Sequence, residues 1–139
     1  MVRLPTVGGD DGTWGTVLNA YLSVGNVVPF SRSGTLTVIT GAGRFLFPFD
    51  ATITGVTAAV NTAPTGASLI FDVNKNGTTI FTTQAGRPAI LAGEFQPLAT
   101  VVPAVTSVVA GDYLSVDIDQ VGSVEAGADA TVLVLYLPA

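Results

Sequence analysis

A chain of 139 residues is long enough for one domain with a real core and too short for two ordinary ones. Hydrophobic residues make up 48% of it and charged residues only 11%, far fewer than in a typical soluble domain, so much of the surface is Thr, Ser, Asn, Gly and apolar atoms suited to burial against copies of itself or a partner. The net charge of −5, with basic residues scattered at Arg3, Arg32, Arg44, Lys75 and Arg87, leaves no stripe for a nucleic-acid backbone or an anionic membrane, and the lack of cysteine excludes disulfides and thiolate metal sites.

Residues 1–24 read as an attachment arm. Leu4 to Gly12 has too many glycines and turn formers for a helix, and Pro5 biases Leu4 toward extended geometry, so this stretch is expected to run as a tether. From Thr13, a residue able to cap a helix, the i, i+3, i+4, i+7, i+8 spacing of Trp14, Val17, Leu18, Tyr21 and Leu22 predicts one short helix, stopped by Gly25. A helix of about ten residues is marginal alone in water and needs a surface to lie on. That surface is the arm's own domain, a neighbouring copy or another protein, and the sequence leaves the choice open. The start of the chain lacks the charged, apolar, small-residue layout of a secretory signal, because Pro5 and the run from Gly8 to Asp11 interrupt any apolar stretch.

After Gly25 the helical period gives way to short β-branched segments separated by Gly, Pro, Asn and Asp, which predicts an all-β domain over 25–139. Strands are expected at 35–40 and 44–49, with Phe45, Phe47 and Phe49 on one side and Pro48 limiting central pairing. Across 51–60 the parity of Ile53 and Val56 slips at Gly55, where a bulge would return both to the core. Segments 67–74 and 78–82, joined through Lys75-Asn76-Gly77, read as a tight hairpin. Weaker strand signals lie at 88–91, 99–102 and 105–108. Gly111-Asp112 turns the chain into 113–121, where Leu114, Val116 and Ile118 oppose Ser115, Asp117 and Asp119.

The last strand, 130–137, is apolar on both sides, with Val132, Val134 and Tyr136 on one and Leu133, Leu135 and Leu137 on the other. It is far too short to span a bilayer as a helix. A two-layer sandwich covers only one of these faces, so Leu133, Leu135 and Leu137 are expected at an interface, against the arm helix or a neighbouring subunit. About eight strands with long connections favour a jelly-roll-like antiparallel β-sandwich over a meander.

The chemistry available is thin. Without His or Cys the usual proton shuttle and the best nucleophile are missing, which leaves carboxylates. Asp117 and Asp119 lie about 7 Å apart by strand rise, a spacing a glycosidase pair would tolerate, but polar residues on a solvated strand face are the better reading. Asp10-Asp11-Gly12 is a turn before a helix rather than a calcium loop, and Gly8-Gly9 lacks the strand and lysine of a phosphate loop. Phe45, Phe47, Phe71 and Phe81 fit core positions, and Tyr113 alone does not make a sugar platform. No catalytic residue, metal or cofactor is expected.

The arm also carries a resemblance. Its stretch from Leu4 through Gly8-Gly9-Asp10-Asp11-Gly12-Thr13-Trp14-Gly15 to Leu18-Asn19 resembles the "LP..GGD.GTWG..LN" opening of tailed-bacteriophage virion proteins, notably minor tail and fibre-like proteins of phages of actinobacteria. The body resembles their β-rich C-terminal modules at Gly41 to Phe45, Ala63 to Ile70, Asp72 to Thr78 and Ala110 to Leu114. The resemblance implies a non-enzymatic virion component, a jelly-roll-like homotrimer assembled in the host cytoplasm, whose N-terminal segment joins it to capsid or tail, and it carries over no binding residue. The arm's own pattern makes Leu4, Pro5, Trp14, Val17, Leu18, Tyr21 and Leu22 the residues expected to be buried on docking. No collagen-like or coiled-coil shaft separates arm from body, which favours a short knob or capsid decoration. The alternative is a receptor-binding tail-fibre tip that recognises a host-surface glycan.

Overall fold

The computed structural model describes residues 25–139. The expected arm and helix, with Leu4, Pro5, Trp14, Val17, Leu18, Tyr21 and Leu22, lie outside the described residues.

The described strands are β1 (Asn26–Thr35), β2 (Ile39–Leu46), β3 (Ala51–Thr62), β4 (Leu69–Lys75), β5 (Thr78–Thr79), β6 (Ala89–Ile90), β7 (Ser107–Val108), β8 (Tyr113–Gln120) and β9 (Ala128–Pro138). They form two antiparallel sheets, one ordered β1-β9-β3-β7 and the other β2-β8-β4, with β5 and β6 sharing the outer flank of β4. The pairs β1 with β9, β2 with β8, β3 with β7 and β4 with β6 are those of one long antiparallel ribbon folded at its middle. Successive pairs fall in alternate sheets, so the ribbon is wrapped into a jelly-roll sandwich, as the strand pattern predicts.

The core lies where the inward faces meet. Val28, Ile53, Val56, Ala58, Val60, Val132 and Val134 from the first sheet pack with Leu69, Phe71, Val73, Leu114, Val116 and Ile118 from the second. Each Val, Leu, Ile or Phe side chain among them contributes roughly 1.5–3 kcal/mol when fully buried, which is how a chain without disulfides holds this sandwich. The bulge expected at Gly55 is present. The register passes from Ile53 opposite Tyr136 to Gly55 opposite Leu135, and Ile53 and Val56 are both buried. The hairpin turn is present as well, with positive φ at Asn76 (52°) and Gly77 (84°), the backbone that a two-residue turn matching strand twist requires.

The strands expected at 44–49 and 78–82 are cut short, at Leu46 and Thr79, and Phe49 is exposed where Phe47 is buried. Three further segments differ more. Segment 35–40 is mostly the crossing between sheets: β1 ends at Thr35, Leu36 is buried and bonds to Gly127, and Val38 is exposed. β1 itself was not anticipated, because Pro29 and the Ser31 to Gly34 run obscure the alternation of Val28 and Phe30 against Val27 and Pro29. Segment 99–102 forms only an isolated bridge, Val101 with Val56. The chain between β6 and β7 still follows the edge of β3, where Phe95, Val101 and Thr106 accept bonds from Val60, Val56 and Ile53, but prolines at 97 and 103 interrupt a continuous ladder.

Candidate functional site

Alternation along β8 puts Ser115, Asp117 and Asp119 on the outer face of the second sheet, and β4 brings Asp72 opposite Asp117. Asp117 Oδ1 accepts the Gly41 N–H at 2.6 Å, pinning the irregular middle of β2. Asp119 pairs with the Arg87 guanidinium. Asp117 thus ties β8 to β2 and Asp119 ties it to the turn before β6, and Ser115 on the same face is buried rather than solvated. No group of three His, Cys, Asp or Glu side chains suited to a metal ion occurs among the described residues.

Asp72 is buried, and its Oδ1 accepts hydrogen bonds from Thr79 Oγ1 (2.7 Å) and the Val73 N–H (2.8 Å). Burial is the largest influence on its carboxyl and pushes it above the usual carboxylate range, with the Asp119 charge acting in the same direction. The folded state therefore holds this proton more tightly than the unfolded chain does. The resulting stability is full at low pH and is lost as pH rises through the folded-state value. Asp72→Asn keeps an oxygen for both hydrogen bonds and carries no charge. Thermal melts are expected to show the variant at least as stable as the parent at neutral pH, with the difference closing below about pH 4. A deficit that grows toward neutral pH would contradict this.

On the outer face of the first sheet, Leu133, Leu135 and Leu137 are half-buried. Leu135 lies opposite Val27 of β1 and Gly55 of β3, and Leu133 opposite Pro29 and Thr57. Val27 is 48% exposed and Pro29 is exposed, so an apolar stripe crosses β1 and β9. Part of its cover comes from the same domain. A Cβ placed on Gly55 would stand 2.6 Å from Thr100 Cγ2 and 3.8 Å from Leu135 Cδ1, so the β6–β7 connection lies close over the bulge.

The surface among the described residues also carries hollows. A cleft of ≈ 360 Å³ opens between β1 and β2, the edge strands on one side of the sandwich, with Phe30, Phe45, Phe71 and Ile118 on its walls and Arg32 and Arg44 among its lining. Sequence reasoning missed it, because it arises from two edges distant in pairing; the inward parity of Arg32 with Val28 and Phe30 was the available signal. A smaller hollow of ≈ 180 Å³ lies beside Asn74, Tyr113, Ser115 and Asp117. The Arg44 guanidinium carbon sits 3.9 Å from the Tyr113 ring centre, so a cation covers one face of that ring.

Among solved structures the chain is similar to one described as "Cyanophage Pam1 capsid asymmetric unit", with 20% identity over 82% of this chain and 85% of that chain and a TM-score of 0.36. No protein family and no curated protein matches the sequence.

Proposed function

We propose that the chain is a non-enzymatic structural protein of a tailed-phage virion, a capsid decoration, head fibre or short tail knob that docks through residues 1–24 and self-associates as a homotrimer. The observation that carries this reading is the opening motif from Leu4 to Asn19, set a few residues before the first strand of a jelly roll. The apolar stripe of Val27, Pro29, Leu133, Leu135 and Leu137 supports self-association, since apolar area on a strand pair gains most when a second surface removes it from water. The engagement of Asp117 with β2 and of Asp119 with the turn before β6 argues against a carboxylate enzyme. The guanidinium over Tyr113 weakens the glycan-binding alternative, because it occupies a face on which a sugar would stack.

The test is assembly of phage whose protein lacks residues 1–24. The truncated chain is expected to accumulate as a soluble, folded β-domain and to be missing from purified particles. Normal incorporation would overturn the docking role of the arm. Sedimentation of the full chain as a stable monomer at micromolar concentration would overturn the trimer.

A further inference from the structure

The cleft between β1 and β2 has a defined chemistry. A cavity of roughly 150 Å³ takes a benzene ring, so ≈ 360 Å³ with aromatic and aliphatic walls admits a bicyclic one. Arg32 stands at an inward-facing position of β1, in step with Val28 and Phe30, and Arg44 lines the cleft from β2. Lys75 and Arg87 are paired with Asp112 and Asp119, whereas Arg32 and Arg44 have no carboxylate partner among the described residues. The cleft therefore suits an aromatic side chain flanked by carboxylates.

The chain carries one such segment outside the described residues, Asp10-Asp11-Gly12-Thr13-Trp14. We propose that the cleft is the seat of the chain's own arm, with the Trp14 indole between the sheets and the Asp10 and Asp11 carboxylates at Arg32. The reach fits. The expected helix rises about 12 Å from Leu22 back to Trp14, and β1 rises about 20 Å from Asn26 to Arg32. With residues 23–25 as the turn, an arm folded back along β1 brings Trp14 level with Phe30, and Asp10 and Asp11, a few residues further on, to the level of Arg32. Seating takes up the apolar helix face and leaves docking on the particle to Leu4, Pro5 and their neighbours, so fluorescence and disulfide formation test the seat while incorporation into particles tests the docking.

Trp14 is the sole tryptophan, so fluorescence of the intact protein reports on it alone. Emission is expected at short wavelength and shielded from iodide. Arg32→Glu, at an exposed position, is expected to shift emission to the red and to raise quenching while leaving the far-ultraviolet circular dichroism unchanged. Adding Asp10→Arg and Asp11→Arg to that variant is expected to restore shielding. Because the chain has no cysteine, Asp11→Cys with Arg32→Cys tests the contact directly, and oxidation is expected to give an intramolecular disulfide. Solvent-like emission in the parent, or shielded emission indifferent to Arg32→Glu, would overturn the proposal. Disulfides formed only between copies would also overturn it, by assigning the cleft to a neighbour's arm.

Discussion

Gly122→Ala is expected to cost about 3 kcal/mol or more of folding stability, read as a lowered urea midpoint with an unchanged denaturant slope. A methyl group at Gly122 would stand 1.8 Å from the Glu125 carbonyl oxygen, 2.8 Å from that of Thr65 and 2.9 Å from the Thr65 nitrogen. These are backbone atoms and have little freedom to move aside. Thr65 donates to Glu125 O at 2.9 Å, accepts from Val124 N at 3.0 Å, and offers its hydroxyl oxygen to the Glu125 N–H at 3.0 Å. Relieving the clash breaks this lock between the β3–β4 and β8–β9 connections. Gly86→Ala is the control. Nothing lies within 4 Å of a Cβ there and its φ is not positive, so the change is expected to be neutral or to stabilise by about 0.5 kcal/mol through the unfolded chain. Equal effects at the two positions would contradict the packing described at Gly122.

Phe47→Ala is expected to cost about 3–5 kcal/mol. Phe47 is fully buried, meets Phe45 and Tyr136 edge-on with ring centres at 5.2 Å, and meets Phe49 at 6.4 Å. Its backbone bonds Asp112 and Gly111, so the ring is held at the point where β2 leaves its sheet. Phe47→Leu keeps much of the volume and is expected to lose less than half as much by the same equilibrium unfolding measurement. A loss below about 1 kcal/mol for the alanine variant would show that the aromatic cluster does not close this end of the core.

What the sequence revealed and what it hid follow from the range of the interactions. The Asn76-Gly77 turn and the Gly55 bulge were legible because each is written in a few adjacent residues, through positive φ and a slip in alternation. The two-sided apolar character of β9 was legible for the same reason, and the structure places Leu133, Leu135 and Leu137 together with Val27 and Pro29, which local pattern did not connect to them. β1 was hidden because its pairing partner is at the other end of the chain and its edge position tolerates Pro29 and Arg32. The strand signal near 99–102 overstated a segment whose β-branched residues follow β3 without a continuous ladder. Asp117 and Asp119 read as solvated polar residues, yet their bonds to Gly41 and Arg87 depend on contacts that only the folded sheet creates.

The proposed role has a jelly roll fastened to a phage particle by its N-terminal segment. A density map of the intact particle tests it most directly. The two-sheet body of residues 25–139 is expected at the particle surface, in symmetric groups of three, with residues 1–24 in contact with a different virion polypeptide. Particles of full composition without this chain, or a body held only by contacts from the sandwich with the arm touching nothing, would contradict it.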